Sequence, residues 1–294
     1  MINGSNNCHV VYFNSNEDSS SVLSGFTVTG GYCNITQEWE GGSGIRVEDS
    51  SPTLDHLLIS NNELRFYSDH TDDYRGGAGV YFYNSNATLS SIIVKNNTLY
   101  FDGFTSNYSA TDYCGGVGVY FYNSDIQLES VTIDSNYFGE WTHNNYYPWG
   151  SGENGGIGLY AYYSNLNCNN LKVQNNYNLS SEDYPNNSRI KIYGGGVFLH
   201  NGSFTATNSS ISFNKIIYGN DEEYTNSLYG GGIYIYSGSV ELINSAVSGN
   251  ELYHGYQGAP AVYGGGIYIG SNSNIVLYET IVSDNSVDNY SNSN

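Results

Sequence analysis

The chain has 294 residues, of which 39% are hydrophobic and only 12% charged, and 28 acidic against 8 basic residues give a formal net charge of −20. Such an acidic surface repels phosphate backbones and anionic lipid, so nucleic acid and membrane surfaces are disfavoured as partners, and without an apolar run of about 18 residues no membrane span is expected. The excess of acid is explained either by solubility, including adaptation to salt, or by cation binding.

One unit is repeated seven times along the chain, at intervals of 34 to 40 residues, and a glycine-rich segment precedes it in most copies. Apolar and outward residues alternate with a period of two, which predicts a strand with one buried face. The first inward column is Ile45, Val80, Val119, Leu159, Val197, Ile233 and Ile267, and the second is Val47, Phe82, Phe121, Ala161, Leu199, Ile235 and Ile269.

A second strand and a third short apolar stretch follow in every unit, which then closes on an asparagine. About 22 residues with three short strands and sharp bends make one coil of a parallel β-helix, in which identical positions stack as ladders. We expect glycine to form bends, and asparagine both to tolerate a left-handed bend and to hydrogen-bond to the next asparagine along the axis. The closing residues are Asn62, Asn97, Asn136, Asn176, Asn214, Asn250 and Asn285.

The predicted fold class is all-β, a parallel β-helix (solenoid) of about eight coils with long loops inserted at one corner. Residues 1–294 form a single domain, in which 1–31 are a degenerate first coil and 41–285 are seven regular coils. Because neither terminus supplies a cap for the apolar ends of the stack, the chain is expected to be a fragment of a longer protein.

The glycine-rich coils resemble those of a known family. Residues 230–235 and 264–269 (both Gly-Gly-Gly-Ile-Tyr-Ile) look like right-handed parallel β-helix repeats of the pectin-lyase-like superfamily, and they resemble large secreted bacterial surface proteins with Gly-Gly-Gly-Ile-Tyr coils. The resemblance implies a right-handed solenoid, an extracellular or cell-surface location and further domains in the parent chain. It leaves the function open, because the superfamily contains lyases, hydrolases, tailspikes and adhesins.

One insertion concentrates residue types that glycoside hydrolysis requires. That reaction uses two carboxylates facing each other across a cleft, and the candidate catalytic residues Asp69, His70, Asp72, Asp73 and Arg75 lie close together in the sequence. An exposed polar loop before a glycine bend explains the same residues. Hydrolases of the superfamily also carry a Gly-His-Gly element, which this sequence lacks, so we interpret the match as coincidence.

The triplet Asp221, Glu222 and Glu223 is the candidate metal site. The eight scattered basic residues are poorly placed to bind an acidic polymer. A calcium-assisted lyase avoids this need, because carboxylates such as these bind calcium, which in turn binds the polymer. A solvated acidic loop is the alternative interpretation, and the sequence has no EF-hand or repeated calcium motif. No cofactor is expected, with calcium as the one alternative.

The four cysteines lack the spacing of a metal site. Cys168 falls in an inward column and is predicted to be a buried thiol. Cys8 and Cys33 can form a disulfide, but the sequence leaves the pairing of Cys8, Cys33 and Cys114 open.

Tyrosine and tryptophan crowd the insertions between coils. Exposed aromatic rings stack against sugars and their polar tips suit wet interfaces, while a satellite core that pins the loops to the solenoid is the alternative. The outward row of Tyr81, Tyr120 and Tyr160 is expected to be structural, because stacked aromatics stabilise neighbouring strands. The candidate ligand-binding residues are Tyr100, Tyr108, Tyr113, Trp141, Tyr146, Tyr147, Trp149 and Tyr184.

The preferred hypothesis is a non-catalytic extracellular β-helix that presents these insertions for adhesion, with a glycan or a host or neighbouring cell surface as partner. The alternative is a polysaccharide lyase or glycoside hydrolase of the same fold. Two carboxylates about 5–10 Å apart in a groove floored by aromatic rings favour the enzyme. A trimeric spike-type fibre is a third class, which requires long apolar patches on one outer face.

Overall fold

The computed structural model describes residues 1–35, 41–68, 74–104, 113–139, 153–178, 191–218, 228–254 and 262–289. Within these ranges the chain consists of strands, turns and bends, without a helix. A helix long and apolar enough to cross a bilayer is therefore absent from the described ranges.

The described residues form 36 short strands. In chain order the strands are β1 Ile2–Asn3, β2 Val11–Phe13, β3 Val22–Ser24, β4 Thr27–Thr29, β5 Tyr32–Ile35, β6 Ile45–Glu48, β7 Thr53–Asp55, β8 Leu58–Ser60, β9 Glu63–Ser68, β10 Tyr74–Gly76, β11 Val80–Tyr83, β12 Thr88–Ser90, β13 Ile93–Lys95, β14 Thr98–Phe104, β15 Tyr113–Gly115, β16 Val119–Tyr122, β17 Asp125–Glu129 and β18 Thr132–Asp134. They continue with β19 Tyr137–Phe138, β20 Glu153–Gly155, β21 Leu159–Asn169, β22 Lys172–Gln174, β23 Tyr177–Asn178, β24 Lys191–Tyr193, β25 Val197–Thr207, β26 Ser210–Ser212, β27 Lys215–Tyr218, β28 Leu228–Tyr229, β29 Ile233–Ile243, β30 Ala246–Ser248, β31 Glu251–His254, β32 Val262–Tyr263, β33 Ile267–Ile269, β34 Ser273–Tyr278, β35 Ile281–Ser283 and β36 Ser286–Asn289.

These strands stack into four parallel sheets, because each strand pairs with the equivalent strand of the next turn. The nine-stranded sheet runs β1-β4-β8-β13-β18-β22-β26-β30-β35, the six-stranded sheet β10-β15-β20-β24-β28-β32, and the eight-stranded sheet β5-β9-β14-β19-β23-β27-β31-β36. In the thirteen-stranded sheet, β21 pairs with both β16 and β17, so the long strands β21, β25 and β29 merge two strands that earlier turns keep separate. The fold is a parallel β-solenoid of about six turns.

The register of the strands is the one that the repeats predict. Val80 pairs with Val119, and Phe82 pairs with Phe121, whose ring it stacks on at a centroid distance of 5.2 Å. All four side chains are buried in the main apolar core, which runs along the axis of the stack. The all-β parallel solenoid is confirmed, whereas the right-handed sense and the count of about eight coils stay predictions.

The predicted asparagine ladder is also confirmed. Asn97 Nδ2 donates to Asn136 Oδ1 on the next turn at 2.9 Å and to the Ile59 carbonyl on the previous turn at 3.1 Å. The same bonds recur along the row from Asn62 to Asn285. Buried amides are tolerated in the core because their hydrogen-bonding groups are satisfied.

The left-handed residue of this corner lies one position before the ladder asparagine. Asn61 and Asn96, with φ of +55° and +53°, precede Asn62 and Asn97, and even Phe213 takes a φ of +55° at the equivalent place. The ladder side chain has to point into the core, so the preceding residue, which points outward, makes the bend. The expectation that the ladder asparagine itself adopts the left-handed conformation was wrong by one residue.

The insertions are shorter than the repeats predict, because both of their ends are strands. Strand β9 begins directly after Asn62, and its inward Leu64 pairs with Leu99 on the next turn. Leu64 and Leu99 join Cys114 and Ile216 in a second buried apolar cluster. The eight-stranded and six-stranded sheets are thus built from the roots of the insertions.

Candidate binding face

Most of the candidate site residues lie outside the described residues. These are the catalytic candidates Asp69, His70, Asp72 and Asp73, the ligand-binding candidates Tyr108, Trp141, Tyr146, Tyr147, Trp149 and Tyr184, and the metal candidates Asp221, Glu222 and Glu223. Of the others, Arg75 lies in β10, Tyr100 in β14, and Tyr113 begins β15.

Arg75 is fully buried at the root of its insertion. Its backbone pairs with Cys114 in the six-stranded sheet, next to the second apolar cluster. A buried guanidinium carries a desolvation cost that an exposed loop residue does not have. Arg75 is therefore part of the packed interior of the solenoid in this structure.

Tyr100 belongs to a group of half-buried residues in two adjacent outward columns of the eight-stranded sheet. One column contains Tyr32, Tyr137 and Tyr177, and the next contains Arg65 and Tyr100. We call Tyr32, Arg65, Tyr100, Tyr137 and Tyr177 the tyrosine face. The five residues lie on the consecutive strands β5, β9, β14, β19 and β23. Their neighbours in the chain, such as those of the second apolar cluster, point inward, so alternation along each strand turns the tyrosine face outward.

Arg65 stands between two rings of the tyrosine face. Its guanidinium carbon is 5.7 Å from the ring centroid of Tyr32 and 4.7 Å from that of Tyr100. Arg65 Nε donates to Glu63 Oε1 at 2.5 Å, and this hydrogen bond raises the pKa of Arg65. The arginine thus holds the two rings in place by cation–π contacts.

A glycine allows Tyr100 to lie flat on the next turn. A Cβ built at Gly139 comes within 2.3 Å of the Tyr100 ring, so no larger residue fits there without moving it. Burial, followed by the hydrogen bond with Tyr137, raises the pKa of Tyr100 to about 12. The phenol is consequently neutral at physiological pH and offers an apolar ring with a polar tip.

The tyrosine face also contains Tyr137 and Tyr177, whose rings stack at a centroid distance of 5.9 Å and an interplanar angle of 17°. Both rings are half-buried, so each keeps part of its surface open to solvent. Rigid, partly exposed tyrosines lose little conformational entropy on contact with a partner. The tyrosine face is therefore suited to binding an extended ligand with apolar faces and hydroxyl edges.

The outward tyrosines of the thirteen-stranded sheet differ from the tyrosine face, because they are fully buried. Tyr81, Tyr120 and Tyr160 are fully buried, with ring centroids 5.3 Å and 4.8 Å apart along the row. Further along the row, Tyr193 from the six-stranded sheet stacks on Tyr234 at 4.7 Å. The prediction that this row is structural is confirmed, and it is a satellite core of the kind considered for the insertions.

Several acidic side chains end exposed rows of asparagines. Asn123 Nδ2 donates to Asn84 Oδ1 at 2.8 Å, and Asn84 Nδ2 donates to Asp49 at 3.2 Å. Asn169 Nδ2 lies 3.0 Å from each of the two carboxylate oxygens of Glu129 and donates to them. These carboxylates thus have structural partners on the neighbouring turn. Asp125 and Asp134 accept in the same way from Asn165 and Asn175.

The first turn contains a feature that the sequence left open. Cys8 and Cys33 form a disulfide, and the imidazole of His9 lies against it. Cys168 is a buried free thiol, as predicted, and burial raises its pKa. Cys114 is also buried. The only sequence signal for the His9 cluster was the adjacent Cys8-His9 pair, since Cys33 is brought to it by stacking of the turns.

Comparison with models of protein families, with curated proteins and with solved structures finds no match to this chain. The pairing of its own strands is therefore the basis on which the fold is assigned. Function has to be argued from the chemistry of the described side chains, above all from the tyrosine face.

Proposed function

We propose that the chain is a non-catalytic β-solenoid of the extracellular space or cell surface that binds glycans, with the tyrosine face as part of the binding surface. The observation that carries the proposal is the group of half-buried rings in the tyrosine face, in which Arg65 contacts Tyr32 and Tyr100 and Gly139 makes room for Tyr100. Fixed rings stack on the apolar faces of sugars, and the phenol tips take part in hydrogen bonds with sugar hydroxyls. Adhesion to a glycan-bearing surface is the expected consequence.

The dimensions of the tyrosine face fit an oligosaccharide. From Tyr32 to Tyr177 it crosses five consecutive strands, which at about 4.8 Å per strand corresponds to about 19 Å along the axis of the stack. Its strands lead directly into the insertions, which carry the other aromatic candidates Tyr108, Trp141, Tyr146, Tyr147, Trp149 and Tyr184. We propose that these residues extend the same surface.

Two further observations support the proposed location and family. Disulfides persist in oxidising compartments, so the Cys8–Cys33 bond supports an extracellular site of action. The Gly-Gly-Gly-Ile-Tyr coils support a right-handed solenoid of the pectin-lyase-like kind, in which parallel crossovers take the usual right-handed sense.

Glycan binding is tested by screening the chain and its Tyr100→Ala variant against an array of neutral and acidic glycans. We expect the variant to bind its best glycan about tenfold more weakly, a change of about 1.4 kcal/mol, because one stacking ring is lost. Tyr100→Phe keeps the ring and should bind like the parent chain. Tyr278→Ala removes an exposed tyrosine on the last described turn and serves as the matched control.

Two outcomes would oppose this function. Equal binding by the parent chain and Tyr100→Ala, or binding to no glycan, contradicts the role of the tyrosine face. Turnover of uronate or neutral polysaccharides in parallel assays contradicts the non-catalytic assignment and favours the lyase or hydrolase alternative.

A further inference from the structure

The imidazole of His9 lies against the Cys8–Cys33 disulfide and approaches both of its sulfur atoms. Its Nε2 is 3.4 Å from Cys8 Sγ, and its Nδ1 is 3.7 Å from Cys33 Sγ. The three residues offer one ligand atom each, all within 4.8 Å of one another. Cys8 is exposed, His9 half-buried and Cys33 buried, so the cluster is reached from the Cys8 side.

The imidazole is held in a defined orientation. Nδ1 lies 3.0 Å from the Gly42 carbonyl oxygen, and the tautomer that donates this hydrogen bond leaves the Nε2 lone pair directed at Cys8. Metal-binding histidines are commonly fixed in this way, by donating their other ring N–H to a backbone carbonyl.

The distances are compatible with tetrahedral coordination. Zinc at about 2.3 Å from sulfur and about 2.0 Å from nitrogen has neighbouring ligand atoms about 3.5–3.8 Å apart. The Nε2 to Cys8 Sγ distance of 3.4 Å is already close to this value. The two sulfur atoms, which are bonded to each other here, have to separate for both to bind one ion.

We propose that reduction converts this disulfide into a site for one zinc-type divalent cation, bound by Cys8 Sγ, Cys33 Sγ and His9 Nε2 with solvent as the fourth ligand. A dithiol supplies the two electrons. One of its thiolates attacks the exposed Cys8 Sγ and Cys33 leaves as a thiolate, after which the second thiolate displaces Cys8 and the reductant leaves as a disulfide. Binding of the cation releases the remaining thiol protons to solvent.

The site is therefore gated by the redox state. Such cations are bound by thiolates. In the oxidised chain the two sulfur atoms are bonded to each other, so neither is a thiolate. An oxidising compartment keeps the chain in the metal-free, disulfide-bonded state, and exposure to dithiols opens the site. This inference is independent of the proposed glycan binding.

The test is a cobalt(II) titration of the full chain before and after reduction with dithiothreitol, which is removed by anaerobic desalting. We expect the reduced chain to bind one equivalent with a sulfur-to-cobalt charge-transfer band, and the oxidised chain to bind at least tenfold more weakly. Cys8→Ser and His9→Gln should each weaken binding by the reduced chain at least tenfold. Cys168→Ser, which removes a buried thiol of the core, is the control and should bind like the parent.

Measurements on the parent chain, without any variant, are enough to contradict the proposal. Reoxidation should release the cobalt, so retention of the metal after the disulfide re-forms overturns the site. Absence of binding after reduction, unchanged binding by His9→Gln, or loss of binding in Cys168→Ser does the same. Circular dichroism of each variant shows that its strands are intact before the titration.

Discussion

The side chain of Asn136 makes four hydrogen bonds inside the core. Its Nδ2 donates to the Val94 carbonyl and to Asn176 Oδ1, each at 3.0 Å. Its Oδ1 accepts from the side chain of Asn97 at 2.9 Å and from the backbone N–H of the same residue at 3.1 Å. One amide therefore connects three consecutive turns, and its removal leaves groups on both sides without their partner.

Asn136→Ala should lower the free energy of unfolding by about 3 kcal/mol, because buried polar groups that lose their partner retain the full cost of desolvation. Urea unfolding followed by circular dichroism measures the change. Asn169→Ala is the matched control, since Asn169 also belongs to an asparagine row but is exposed, and its loss should cost about 0.5 kcal/mol or less. Equal losses in the two variants would show that the ladder is not a source of core stability.

At the level of single strands and bends, Gly77 occupies a bend before strand β11 that requires glycine. Its φ is +64°, and a Cβ at this position comes within 2.2 Å of the Val80 carbonyl oxygen. Gly25 has a similar φ of +77° but nothing within 4 Å of its Cβ position. Gly25 is therefore required only for its left-handed backbone conformation, whereas Gly77 is required both for this conformation and for lack of space.

Gly25→Ala should cost about 1–2 kcal/mol, the penalty of a left-handed conformation for a residue with a Cβ. Gly77→Ala adds a clash with the backbone and should cost at least twice as much. Thermal unfolding of both variants gives the comparison. A Gly77→Ala variant that is as stable as Gly25→Ala contradicts the close approach of the Val80 carbonyl to position 77.

The sequence predicts those strands whose inward residues recur at the same position in every coil. Columns such as Val80 and Val119 recur in every coil, so their strands and register were predictable. The root strands were missed although their inward column also recurs, two residues after the ladder asparagine, as Leu64, Leu99, Phe138, Ile216 and Leu252. The Arg65–Tyr100 contact was not predictable, because it joins two turns and leaves no local signal.

Across the whole molecule, stability is a sum of contacts between neighbouring turns. Leu128 pairs with Leu89 on one side and Cys168 on the other, and is buried. Leu277 occupies the same inward column on the last described turn, pairs with Leu242, and is 45% exposed. Equivalent positions in the repeat therefore differ in the number of turns that pack against them.

Leu128→Ala should lower the free energy of unfolding by about 3 kcal/mol, because it leaves a cavity between two turns. Leu277→Ala should cost about 1 kcal/mol or less, since the residue is packed on one side only. Hydrogen exchange distinguishes the two: the Leu277 variant should exchange faster in β33 to β36 alone, and the Leu128 variant in the turns on both sides of β17. Equal losses of stability, or exchange that rises uniformly along the chain in both variants, would contradict nearest-neighbour stacking and indicate that the solenoid unfolds as one indivisible unit.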